Sequence, residues 1–187
     1  MAMADIAKFS GIAYFVCIGL WFATAQAHFD RSSRARPMLF AVVALSAFVS
    51  VATIFILIRV DVPQGRLMAA LLVATGAALL FRWGLRSIAR KNLGLAFSGI
   101  VPPEVVQRGP YRHVRHPLYT AYSIFWLSCA YLTASLVVGI LAFLIVVLYG
   151  LAARSEERDI LRSSLGPAYR EYRKRTGLLF PRLFRKR

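Results

Sequence analysis

Two short groups of ionisable residues mark a chain that is otherwise poor in them. Arg115-His116-Pro117-x-Tyr119 places a guanidinium, an imidazole and a phenol within five residues. Glu156-Glu157 sets two carboxylates side by side in the most basic stretch, although the chain has only eight Asp and Glu against 24 Lys and Arg. A third group, Tyr169, Tyr172 and Arg175, recurs in steps of three and so shares one helical face. An Arg fork can hold a carboxylate at two points. A carboxylate can take the proton of an amine nucleophile. Aromatic faces suit a cation. Each group also has a plainer reading. Arg115 and His116 can anchor lipid phosphates. Ser155 can cap a helix whose first turn the two acids enrich. The tyrosines can lie along an amphipathic interfacial helix.

What must position these residues is a membrane bundle. Of 187 residues, 58% are apolar and 17% charged, mean hydropathy is +0.59, and net charge is +16. Soluble domains are less apolar and more charged, so a basic soluble domain, a disordered tail and a disulfide scaffold fit poorly. Cys17 and Cys129 lie in separate apolar runs and read as small apolar residues. No metal site is expected. The basic charge has no aromatic-interleaved repeat or nucleic-acid reading motif, and topology and anionic headgroups explain it better. Without a basic cluster ahead of the first apolar run, that run reads as a retained span rather than a cleaved signal.

A crossing helix needs about 20 apolar residues. Residues 9–27 and 38–58 are free of charge and long enough. Residues 67–81 are short, but Arg82 and Arg86 can snorkel while Trp83, Leu85 and Ile88 extend the helix. The charge-free run from Leu118 to Ala153 has 36 residues, too long for one crossing at about 1.5 Å each. It predicts two short spans joined near Thr133-Ala134-Ser135, the first starting at Pro117, where a proline suits a helix start. Five spans result. The basic residues then fall 21 on one side, in connections 28–37 (Arg31, Arg34, Arg36) and 82–117 and in the tail, against Lys8, Arg59 and Arg66 on the other. The positive-inside rule places the N-terminus outside and the C-terminus in the cytoplasm. A four-span count would separate the two basic segments. The hairpin instead returns the chain to the same face, so Arg115–Tyr119 and Glu156–Arg175 should meet at the mouth of the bundle, where ionisable residues suggest a site.

The blocks Gly109-Pro110-Tyr111, Arg115-His116-Pro117-x-Tyr119, Glu156-Glu157 and Leu165-Gly166-x-x-Tyr169-x-x-Tyr172 resemble, in kind and order, the isoprenylcysteine carboxyl methyltransferases and the wider group that includes the phospholipid methyltransferases. The similarity covers roughly Trp83 to Pro181. Asn92-Leu93-Gly94 resembles the stretch before the motif, weakly. The resemblance implies an all-α polytopic membrane bundle of about five transmembrane helices, with a C-terminal hairpin and cytoplasmic interfacial helices. It implies one domain over 1–187, with three spans in 1–81 and a cofactor-binding region in 82–187. It also implies S-adenosyl-L-methionine as cofactor, giving S-adenosyl-L-homocysteine, without a Rossmann domain. The sequence has no strand followed by G-x-G-x-x-G, in keeping with that.

Carried over by motif, Tyr111, His116, Pro117, Tyr119, Glu156, Glu157 and Tyr169 would bind the cofactor. His116 and the helix start would meet its carboxylate. Family members usually have Glu-Glu-x-x-Leu, whereas here Leu161 follows Glu157 by four residues. Counting back from Gly166, Glu157 takes the first acidic position and Arg158 the second, so Glu157 is preferred and Glu156 is the reserve. Leu165-Gly166 stands where Phe-Gly is common. Arg115, Arg175 and Glu157 are the candidates for the reaction itself. The leading expectation is O-methylation of the carboxylate of a lipophilic, isoprenylcysteine-like substrate entering from the bilayer. The alternative is N-methylation of a phospholipid or lipid amine. An NADPH enzyme like the sterol reductases, whose corresponding block lacks the proline, and a non-enzymatic bundle are more remote. Oligomeric state is not indicated.

Overall fold

The computed structural model describes residues 3–26, 36–88 and 104–182. The Asn92–Gly94 stretch, Arg31, Arg34 and the charges beyond Arg182 lie outside them. The elements are α1 (Met3–Gln26), α2 (Arg36–Arg59), α3 (Gln64–Ser87), a 3-10 turn (Gly109–Arg112), α4 (Pro117–Thr133), α5 (Leu136–Arg162) and α6 (Gly166–Arg175). Among the described residues no β-strand forms, and a single parallel bridge joins Val114 to Gly177. The chain is an all-α bundle.

α2 from Met38, α3 and α5 are each long and apolar enough to cross a membrane, while the apolar part of α1 (Phe9–Phe22) and α4 are shorter. Large apolar side chains lie bare on the outside of the bundle, among them Phe40, Leu72 and Leu136. A helix apolar on every side suits lipid on one face and protein on the other. α3 reaches Ser87, six residues past the apolar run, with Arg82 and Arg86 exposed at its end.

Contacts fix the order of packing. α3 lies against α4, α4 against α5, and α1 against α3. The inner face of α3 is Ala70, Ala74, Ala77, Phe81 and Gly84, all buried. The small residues among them, all but Phe81, let helix backbones approach closely. Phe22, Phe81, Tyr122 and Phe125 then fill the centre as one aromatic layer, with ring centroids 4.9–5.2 Å apart.

The hairpin turn falls where the sequence placed it. α4 ends at Thr133 and α5 starts at Leu136, with Ser135 capping through its side chain, which accepts from the Val138 N–H at 3.4 Å. Ala134 closes the turn in the left-handed region at φ 50°. An L-residue there costs about 1–2 kcal/mol, whereas glycine enters freely but loses more chain entropy on folding. Ala134→Gly should therefore raise stability by roughly 0.5–1 kcal/mol. Thermal unfolding in detergent checks this.

One expectation is corrected. The sequence offers Ser155 as a helix cap, but α5 runs unbroken from Leu136 to Arg162, and Ser155 lies within it. No residue between Ala153 and Glu156 breaks a helix, so the span continues straight out of the apolar layer. The apolar part, 136–153, covers about 27 Å. Glu156 and Glu157 project beyond it, still on the span's rigid axis.

Candidate active site

Three segments converge at the end of the bundle where α4 begins and α5 ends. The first is the approach to α4. Gly109 sits at φ +59°, and a Cβ there would overlap the Ser87 hydroxyl at the end of α3. Glycine alone lets the chain turn so close to α3. Arg108 fastens the same corner by donating from Nε to the Ser87 carbonyl at 2.8 Å. Pro110 is buried, and the turn delivers Arg115, His116 and Pro117 to the head of α4.

The second segment is the end of α5, which carries Glu156 and Glu157. The third is α6 and the strap that follows it, 176–179. The strap lies alongside the approach to α4. The Arg115 N–H donates to the Gly177 carbonyl at 2.8 Å, the His116 N–H to Leu178 at 3.2 Å, and the Gly177 N–H to His113 at 3.2 Å. The Thr120 hydroxyl donates to the Leu179 carbonyl at 2.7 Å. The Tyr172 hydroxyl reaches the Tyr111 carbonyl at 2.7 Å.

Glu157 is the centre of the cluster, 4% exposed. Its Oε1 accepts from Arg115 Nε at 2.5 Å and from the Tyr169 hydroxyl at 3.2 Å. Arg173 Nε lies 3.4 Å from Oε2. His116 stands between the two acids, Nδ1 3.5 Å from Glu156 and Nε2 3.5 Å from Glu157. Those are ion-pair distances, and the buried Nε2 makes no hydrogen bond of ordinary geometry. Glu156, less buried, accepts from the Tyr119 hydroxyl at 2.6 Å. Arg115 also donates through Nη1 to the carbonyls of Thr176 and Arg173.

The charges here are set by opposing effects. Burial works to raise the Glu157 pKa, but the His116 imidazole and the Arg115 guanidinium beside it prevail and hold it at about 2. The carboxylate is thus a fixed anion. Its pKa lies below the usual 4.5, so its contribution to stability is complete above about pH 4.5 and drains away as pH falls toward 2. Glu157→Gln should remove that acid-limb dependence, as read from thermal midpoints between pH 3 and 7. Burial, with the Glu157 charge adding, pushes the Tyr169 phenol up, so it stays a donor. Burial also raises Tyr172 and Tyr111.

Aromatic rings continue the cluster inward. His116 stacks on Tyr119, Tyr119 on Tyr149, and Tyr149 on Tyr122, at 5.3–5.7 Å and within 23° of parallel.

Of the residues picked from sequence, Arg115, His116, Pro117, Tyr119, Glu156, Glu157 and Tyr169 come together. Tyr111 enters through its backbone carbonyl. Arg175 does not join. It is exposed and reaches Gln107 at 3.5 Å. Arg173, not picked, takes the place beside Glu157. It stands four residues after Tyr169, the other neighbouring step on a helix face. Thr176 and Gly177 were also missed, because their role is in backbone pairing.

A sequence model of the family described as phospholipid methyltransferase matches residues 65–168, more than half of the chain. The chain belongs to the phospholipid methyltransferase family. The matched region runs from the start of α3 to the first residues of α6, and so includes both acids and the Arg-His-Pro turn. Over 100 residues this family member is 35% identical to the cobalt-zinc-cadmium resistance protein CzcN of Cupriavidus metallidurans, covering 53% of this chain and 45% of that protein. It is 32% identical over 100 residues to the nickel-cobalt-cadmium resistance protein NccN of Alcaligenes xylosoxydans xylosoxydans, covering 53% and 46%. The match thus spans less than half the length of these relatives. Among the described residues no group of three His, Cys, Asp or Glu is placed to hold a metal ion.

Proposed function

We propose that this chain is an integral membrane methyltransferase that uses S-adenosyl-L-methionine and acts on the carboxylate of a lipophilic, isoprenylcysteine-like substrate. The observation that carries the reading is the joining of Arg115, His116 and Tyr119 to Glu156, Glu157 and Tyr169 at the polar end of an apolar bundle. The cofactor supplies a methyl group on a cationic sulfur. The residues fit it. The buried His116 Nε2, 3.5 Å from Glu157, makes no hydrogen bond of ordinary geometry, and the head of α4 favours an anion. Glu156 and Glu157 suit an ammonium group or ribose hydroxyls. The faces of Tyr119 and Tyr169 suit a sulfonium. Tyr111 and Pro117 frame the turn that carries these groups.

The state of the acids favours a carboxylate as the acceptor. An amine must lose a proton, and a general base works best with a pKa near the operating pH. Glu157 is held at about 2, and Glu156 is engaged by Tyr119. A carboxylate acceptor is already ionised and needs no base. Arg173 is 42% exposed and retains donors to hold it, so it takes the role assigned by sequence to Arg175. Arg115, with donors committed to Glu157 and the strap, is a positioning residue. Alignment of nucleophile, methyl and leaving sulfur is then the main source of rate. The apolar spans hold the lipid tail. By charge, the polar end and the C-terminus face the cytoplasm, and the N-terminus lies outside.

The alternative acceptor, a lipid amine, keeps the same cofactor site and accords with the family's name. Calorimetry of detergent-purified protein against S-adenosyl-L-methionine tests the shared part. No binding at high micromolar concentration overturns it. Transfer of labelled methyl to a farnesylcysteine carboxylate supports the first acceptor. Methylated amine headgroups in lipid extracts of expressing cells would replace it with the second.

A further inference from the structure

Among the buried residues of α5, Tyr149 alone is aromatic. It is fully enclosed, deep in an otherwise aliphatic span. Glu156 follows it by seven residues, two turns along the same face and about 10 Å nearer the polar end. Between them on that face stand Ala152 and Ala153, both buried. Their small side chains leave a lane along α5, and Tyr119 of α4 lies in it. The Tyr119 ring stacks on Tyr149 at 5.3 Å and 16°, and its hydroxyl donates to Glu156 at 2.6 Å. α5 thus grips one side chain of α4 at two points. A tyrosine has two rotatable side-chain angles, and fixing the ring plane and the hydroxyl fixes both.

The orientation passes on to His116. Its Nε2 makes no hydrogen bond of ordinary geometry, and its Nδ1 stands 3.5 Å from Glu156. The imidazole lies on Tyr119 at 5.6 Å and 12°. The stack, rather than a short bond, therefore sets the plane of the imidazole between the two acids.

The base of this column is itself held. Tyr149 lies on Tyr122 at 5.7 Å and 23°, and its hydroxyl accepts from Trp126 Nε1 at 3.4 Å. The Tyr122 hydroxyl donates to the Phe22 carbonyl of α1 at 3.3 Å. Rings in such pairs hold one another beyond what burial alone gives. A leucine at 149 would fill the core but impose no plane on its neighbour.

We propose that Tyr149 is a positioning residue of methyl transfer, setting through Tyr119 the plane of His116 and the aim of Glu156 at the cofactor. The inference rests on the cofactor site proposed above and adds to it a residue two turns inside the bundle.

Calorimetry of the full chain against S-adenosyl-L-methionine reads the effect. Tyr149→Leu should weaken binding about fivefold, the equivalent of one hydrogen bond. Tyr149→Phe keeps the ring and should stay within about twofold of wild type. Phe15→Leu removes another buried ring, stacked on Phe125 at 5.2 Å, and should lower thermal stability with affinity unchanged. In a Tyr119→Leu background, Tyr149→Leu should cost almost no further affinity, since coupled residues do not add. Ultraviolet resonance Raman reads the Tyr119 hydroxyl without cofactor. Its strong-donor signal, assigned by its loss in Tyr119→Phe, should weaken in Tyr149→Leu and persist in Tyr149→Phe. Full affinity in Tyr149→Leu, additive losses with Tyr119→Leu, or an unchanged Raman signal overturns the proposal. Where Tyr149→Leu fails to fold, Tyr149→Met fills the space without a ring and carries the same expectations. A wild type that does not bind S-adenosyl-L-methionine overturns the cofactor site instead, and the Raman signal still decides the part played by Tyr149.

Discussion

Glu157→Ala should abolish methyl transfer and destabilise the protein by about 3–5 kcal/mol, the cost of leaving a buried charge without its partner. The stranded charge is Arg115, whose side chain is 7% exposed. The same change removes the acceptor of Tyr169, the carboxylate beside His116 and the counter-charge of Arg173. Glu157→Gln separates the two effects. It keeps an acceptor for Arg115 and should retain more of the stability, yet it cannot neutralise a cation. Glu156→Gln is the contrasting variant. Its carboxylate is less buried, and its partners include Tyr119 and His116. It should cost under about 1.5 kcal/mol, that of one hydrogen bond, and act mainly on cofactor affinity. Thermal unfolding in detergent and calorimetry with S-adenosyl-L-methionine read the two losses separately. Equal behaviour of the two acids would contradict the central place given to Glu157.

Gly177→Ala should be nearly as severe, although it adds only one methyl group. A Cβ at Gly177 would collide with the Phe180 carbonyl, which is backbone and cannot swing aside. The strap must then leave its place beside Arg115 and His116. Three backbone hydrogen bonds go with it, as does the Thr176 carbonyl that accepts from Arg115. Cofactor affinity should fall at least tenfold, or about 1.4 kcal/mol, with the α1–α5 bundle intact by circular dichroism. Limited proteolysis would find new cleavage after Arg175. Unchanged affinity would mean that the strap is not part of the site.

Much of this was legible because membrane helices write their limits plainly. A charge-free run of 36 residues forces a hairpin, and the turn at Ala134-Ser135 and the start at Pro117 fell in place. The hairpin in turn forces Arg115 and Glu157 to one end. Other features were hidden for physical reasons. α1 and α2 are apolar all round, so their sequence does not show which face is inward. Arg173 and Arg175 are both one turn from a buried tyrosine, and only the tilt of α6 decides between them. The strap pairs through backbone atoms, for which side-chain chemistry carries no signal. Ser155 misled because a serine before two acids marks a helix start in water, whereas here the helix was already running.

The strap also sets an order of events during synthesis. Arg115 and its carbonyl partner at Thr176 are 61 residues apart in the chain. When the α4–α5 hairpin has entered the membrane, the ribosome still holds α6, and the guanidinium and imidazole at the head of α4 face the headgroups without the strap beside them. The hairpin must therefore be tolerated by the insertion machinery in a half-neutralised form, and the site closes only after translation has passed Leu179. A fusion partner placed between Arg162 and Thr176 would hold the protein at that stage: inserted, helical and inactive.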